Sequence, residues 1–221
     1  MTLTFISLYN TITGQAWSMF DGDVEAQDEF ELNVTTSIQK ALSDLWNRYP
    51  YPFKAKTKVY KLKKDVREYP LPIGNIQEKN NKYRVRYESQ YLTYNNKLDE
   101  VTYPKEGGEP QQFNVDNEKL VIYPQPDKNN YTLNVDYWAL FPCKDKDGVQ
   151  KATLENEDDY IDIPVKYEEL FKNALITLAM TYLIASDTDE NFSQYQAQYN
   201  TAYERLIKSI KRLDKERRIT F

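Results

Sequence analysis

Near residue 50 the chain changes its hydrophobic period, and that change constrains its fold more than any other feature. Phe30, Val34, Ile38, Ala41, Leu42 and Leu45 recur every three or four residues, which puts them on one face of a helix with polar residues opposite. The stretch Leu45-Trp46-Asn47-Arg48-Tyr49-Pro50-Tyr51-Pro52-Phe53 then halts the repeat. Pro50 has no amide donor to continue a helix, and it pushes Tyr49 toward extended geometry. Over residues 55–141 apolar positions alternate instead, as in Tyr83-Arg84-Val85-Arg86-Tyr87 and Tyr131-Thr132-Leu133-Asn134-Val135-Asp136-Tyr137. A helical part must therefore hand over to a strand-rich part at this point. The four aromatics and two prolines there are expected to fill the corner between the two layers.

Within the strand-rich part, Phe113-Asn114-Val115 and Leu120-Val121-Ile122-Tyr123 read as a hairpin around the turn formers Asp116-Asn117. Helix returns after the acidic run Glu155-Asn156-Glu157-Asp158-Asp159, with Pro164 suited to a first turn. Tyr167, Leu170, Phe171, Ala174, Leu175, Leu178, Ala179, Tyr182 and Leu183 make a wide apolar stripe. Residues 186–189 break it, and Asp187 with Glu190 resembles a capping box. A last helix is expected over residues 189–217, with Phe192, Tyr195, Tyr199, Ala202, Leu206 and Leu213 forming a near-heptad seam against another helix. A shorter helical segment is expected around residues 4–12, followed by an acidic loop holding Asp21-Gly22-Asp23. The expected fold class is α+β: N- and C-terminal helices form a bundle (residues 1–54 and 155–221), with a central antiparallel β-sandwich or barrel-like insertion (residues 55–154).

Composition narrows the chemistry. The 221 residues include no histidine, which excludes hydrolase triads and histidine-containing zinc sites. The single cysteine, Cys143, has no partner for an internal disulfide. The first residues carry no charged start, long apolar run or small-residue cleavage site, so a cytoplasmic origin is expected. The most apolar stretch, residues 174–185, is interrupted by Thr177 and Thr181 and falls short of the roughly 18 apolar residues of a membrane span, so a soluble protein is expected. Net charge is −5 but uneven: residues 205–221 carry +5 and the remainder −10. Arg205, Lys208, Lys211, Arg212, Lys215, Arg217 and Arg218 fit either an arm that docks on an acidic surface or a helix end matched to its dipole.

No segment carries a catalytic signature. Asp145-Lys146-Asp147-Gly148 is part of a calcium-loop pattern, but Cys143 stands where the first acidic ligand belongs, and a plain turn is expected. The acidic residues between 155 and 162 could gather a cation or hold two catalytic carboxylates, yet nothing supplies a nucleophile, and a solvated loop is the better expectation. Cys143 lies beside Lys144 without a partner base and reads as structural. Gly107-Gly108 lacks the rest of a phosphate loop. No cofactor, metal or enzyme activity is expected. Tyrosines such as Tyr83, Tyr87, Tyr91, Tyr94 and Tyr103 suit protein contacts first; a β-rich carbohydrate-binding module using Tyr91 and Tyr94 is the alternative.

Several segments in this order resemble the head-to-tail adaptor (connector, tail-tubular) proteins of tailed phages. They are the helix ending at residues 45–53, Arg67-Glu68-Tyr69-Pro70-Leu71-Pro72, the strand end at residues 122–127, Tyr131 to Leu140 with its Tyr-Trp-Ala-Leu close, and residues 161–170 before the two last helices. Residues 77–109 depart from that pattern as a larger insertion. The resemblance implies a non-enzymatic virion protein at the head-tail connector, assembled in the host cytoplasm, that forms a ring, usually of twelve copies, beneath the portal. The partners it implies are the portal protein, neighbouring copies of the chain, and a downstream tail or second ring protein, with no membrane. DNA would pass through the channel without specific binding during packaging and ejection, which an acidic lumen would ease. In such proteins the C-terminal segment reaches onto the portal. That role falls here on Arg205, Lys208, Lys211, Arg212, Lys215, Arg217, Arg218 and Phe221, in an arm expected to order on contact.

Overall fold

The computed structural model describes residues 3–17, 27–79, 82–98, 107–184 and 189–219; the acidic loop at Asp21-Gly22-Asp23, the capping pair beginning at Asp187, Tyr103 and Phe221 lie outside them. The contacts divide the chain into two compact units, Met1–Phe53 with Phe141–Phe221, and Lys54–Leu140.

The first unit is helical: α1 (Phe5–Trp17), α2 (Gln27–Arg48), α3 (Val165–Ile184) and α4 (Asp189–Ile219). α3 is the central element and packs against the other three. That explains why its burial extends past the expected stripe to Ile176, Met180, Thr181 and Ile184, while Leu170, Tyr182 and Leu183 are only half-buried. Phe5 through Trp17 form a longer helix than expected, with Leu8, Ile12 and Ala16 buried. α4 runs unbroken to Ile219, so the arm expected to order on contact is already helical in its backbone.

Residues 141–154, expected with the strands, fall in the helical unit. Cys143–Lys144 pairs with both Gln150–Lys151 and Tyr160–Ile161, and Thr4 bridges to Tyr160, which ties this small sheet to the start of α1. The Phe5 N–H donates to the Asp159 carbonyl at 2.9 Å, and the Ile161 N–H donates to the Leu3 carbonyl at 3.0 Å.

The second unit holds two main sheets. One orders Ala55–Lys61, Thr132–Ala139, Val85–Tyr87 and Gln90–Tyr91, with Gly74–Ile76 also on Thr132–Ala139. The other orders Glu68–Pro70, Lys119–Tyr123, Gln112–Asp116 and Thr93–Tyr94. Pairing is antiparallel except for Thr93–Tyr94 on Gln112–Asp116 and Gly107–Gly108 on Gln125–Pro126. Tyr60, Val85, Tyr87, Leu133 and Val135 from the first sheet share one core with Tyr69, Phe113, Leu120 and Ile122 from the second, so the unit is a sandwich. Within the expected hairpin, Asp116 pairs with Lys119, which puts the turn at Asn117-Glu118, one residue later than the composition indicated. Both have positive φ, 45° and 62°, as a two-residue type I′ connection requires. At Gly74, φ is 155° and a side-chain carbon would lie 2.1 Å from the Trp138 carbonyl oxygen, so only glycine lets these strands approach.

Candidate assembly surfaces

The aromatic stretch after α2 belongs to the helical unit. Pro50 stops the helix, and Tyr51 folds back so that its hydroxyl donates to the Leu45 carbonyl at 3.0 Å, one of the last-turn acceptors that a helix end leaves unpaired. Tyr51 stacks on Phe53 at 4.9 Å, both meet Phe171 edge-on, and Phe53 also meets Tyr167, both residues of α3. Trp46 closes the cluster against Tyr51 and Phe53. Burial pushes the Tyr51 phenol far above its ordinary pKa, aided by the nearby Tyr203 and Tyr199 rings.

A second set of contacts holds α4. Tyr199, Leu206 and Ile210 are buried, with Phe192, Tyr195, Ala202 and Tyr203 half-buried beside them. The Arg48 guanidinium donates to the Tyr199 hydroxyl at 2.9 Å and lies 5.1 Å from the centre of the Tyr203 ring. Nearby, the Tyr182 hydroxyl donates to Asp44 at 2.5 Å and Lys40 sits 4.3 Å above the Tyr182 ring. Arg48, Asp44 and Lys40 carried no signal in the sequence because each is polar at an exposed helix position. Ile210 did carry one: it continues the three-and-four rhythm four residues past Leu206.

Opposite this seam, Arg205, Lys208, Lys211 and Arg212 are exposed, at positions that 100° per residue gathers on one side of α4. Lys208 is bridged to Glu204 one turn earlier at 3.0 Å. Lys215, Arg217 and Arg218 continue the same helix, their side chains lying outside the described residues, as does Phe221.

The acidic run is a structural knot. Asp159 is buried, and its Oδ2 accepts from the Lys151 ammonium at 2.7 Å and from the Glu155 and Asn156 N–H groups at 2.7 and 2.9 Å. Desolvation works to raise its pKa, but the Lys151 hydrogen bond and the two backbone donors outweigh it and hold the carboxyl down at about 2. Lys151 also bridges to Glu155 at 2.9 Å. The Gln39 side chain grips both backbone groups of Leu154, tying the loop to α2. Burial raises the Cys143 thiol to about 12, with the Asp159 charge adding to it, so the thiol stays protonated and unreactive. The Asp145 carboxylate accepts from the Asp147 and Val149 N–H groups at 2.9 and 2.8 Å, which makes this segment a turn. Among the described residues no cluster of acidic or sulfur ligands is arranged to hold a metal, and no helix is long and apolar enough to cross a membrane.

In the strand unit, Tyr94 is 41% exposed but packs tilted at 4.9 Å from Tyr83 and 5.4 Å from Phe113. These rings line a cavity of about 340 Å3 with Leu71, Ile76 and Val115. They pack on one another rather than presenting parallel faces, which is poor geometry for stacking a sugar. A feature the sequence did not disclose is Asp136, buried under Thr57, Arg84 and Arg86: the Thr57 hydroxyl donates to it at 2.7 Å, Arg86 donates at 3.0 Å and the Arg84 Nε lies 3.0 Å away.

A family model described as SU10 adaptor protein matches residues 12–220. The chain belongs to the SU10 adaptor protein family. No curated protein matches it. The adaptor is a structural component of a bacteriophage particle at the head-tail junction, and the match spans both units, including all of α4.

Proposed function

We propose that the adaptor forms a ring, of about twelve copies, beneath the portal, joining capsid to tail and continuing the DNA channel. The observation that carries this reading is the family match over residues 12–220. Portal contact is assigned to the cationic side of α4, through Arg205, Lys208, Lys211 and Arg212 and onward through Lys215, Arg217, Arg218 and Phe221. The helical unit meets the portal and neighbouring copies, the strand unit meets the next tail component, and DNA passes without specific contacts. A chain carrying −10 outside the arm is suited to a channel that does not hold DNA.

The test is binding of purified adaptor to purified portal. Charge reversal at Arg205 and Lys211 together should weaken association about tenfold or more and reduce its salt dependence, while leaving the melting temperature unchanged. A truncation after Arg212 should weaken it similarly; cutting after Leu206 is a poorer test, since it removes buried Ile210 and unsettles α4. Unchanged portal affinity in both the reversal and the Arg212 truncation would overturn the assignment of the arm.

A further inference from the structure

Ala55–Lys61 forms one side of the first sheet: it pairs with Thr132–Ala139 and, among the described residues, with no other strand. The hydrogen bonds around it reveal which backbone groups face the open side. Leu62 continues the register as the partner of Tyr131, and its N–H donates to the Tyr131 carbonyl at 2.8 Å, so even-numbered residues turn toward the neighbouring strand. Asp136, opposite Thr57, bonds away from it instead: its carbonyl accepts from Gln77 at 2.8 Å and its N–H donates to the Arg84 carbonyl at 2.9 Å. Ala55, Thr57, Val59 and Lys61 therefore direct their N–H and C=O groups outward along the sheet edge, and their side chains are exposed, Val59 by 54%.

Positive charge concentrates on the same edge. Lys54, Lys56, Lys58, Lys61, Lys63 and Lys64 fall within residues 54–64 with no acidic residue among them, in a chain of net charge −5. Lysine on an edge strand is a common guard against unwanted pairing, and it disfavours two copies joining through this edge. The same lysines favour an incoming strand of opposite charge, because cross-strand ion pairs stabilise where like charges repel.

We propose that the Ala55–Lys61 edge accepts an extended acidic segment of a partner protein as an added strand. Outward backbone groups supply the ladder, and the lysines select the sign of the partner. The proposal stands on this edge alone and does not depend on the ring assignment above.

The test uses the full chain, isotopically labelled, with a capped peptide of sequence Glu-Thr-Glu-Val-Glu-Thr-Glu as probe and its lysine-for-glutamate counterpart as control. The acidic peptide should slow amide exchange at Thr57, Val59 and Lys61 about tenfold or more, and the lysine peptide should not. Val59→Pro removes an outward donor without breaking a bond to Thr132–Ala139, so it should abolish this protection while the fold persists. The double variant Lys56→Glu with Lys58→Glu should weaken the acidic peptide about tenfold and admit the lysine peptide. The proposal fails if the acidic peptide protects none of the three amides. It fails equally if binding is undiminished in Val59→Pro, or if short duplex DNA protects the same amides as well as the peptide does, since charge alone would then explain the edge.

Discussion

Tyr51 turns a helix stop into a packed joint, and its hydroxyl does work that a phenylalanine could not. The Leu45 carbonyl is buried, so Tyr51→Phe should leave it unpaired and lower stability by about 1–2 kcal/mol, read by urea denaturation, with the aromatic packing otherwise kept. The sequence disclosed that aromatic bulk gathers at this helix end, because prolines and rings are visible in one dimension. It could not disclose that the rings face Phe171 and Tyr167, more than a hundred residues away in the chain. Asp159 repeats the lesson, since in sequence it is one carboxylate in an exposed-looking acidic run. Its folded pKa of about 2 lies below the ordinary aspartate value, so its contribution is present above about pH 4 and is lost as pH falls toward 2. Asp159→Asn should therefore cost about 3 kcal/mol at neutral pH, and the gap from the native chain should close between about pH 4 and pH 2. Asp158→Asn, at an exposed neighbour, should change stability by less than about 0.5 kcal/mol.

Among the elements, helices were legible wherever an apolar face repeats. α2 and α4 each show one side to solvent, so their periods survive in the sequence, whereas α3 is covered by three helices and its stripe widens until no period marks its limits. Strands were legible where alternation is strong, as in Thr132–Ala139, and poorly legible in two-residue pieces such as Glu78–Lys79 and Gln90–Tyr91, which are too short to alternate. The hairpin around residue 117 shows how turn chemistry decides a register that composition leaves one residue loose. Glu118 sits at φ 62°, in the position of a type I′ turn that glycine fits best. Glu118→Gly should raise stability by about 0.5–1 kcal/mol without moving the pairs from Gln112–Tyr123 to Asp116–Lys119, measured by thermal unfolding and by amide protection of the two strands.

For the whole molecule, the order helix, strand, helix follows from a chain whose two ends build one unit while its middle builds another. That order and the adaptor resemblance were both readable from sequence, since each rests on long-range arrangement of segments rather than on a single residue. The surfaces were not: the basic face of α4 depends on which side Tyr199, Leu206 and Ile210 bury, and the outer edge of Ala55–Lys61, which among the described residues meets no second strand, depends on strand partners. The proposed ring depends on how copies meet the portal, so imaging tests the account most directly. Electron microscopy of the phage neck, at a resolution that traces helices, should show a closed ring of this chain directly below the portal with α4 against it. Finding the chain elsewhere in the particle, or as isolated copies with no ring at the portal, would contradict the account.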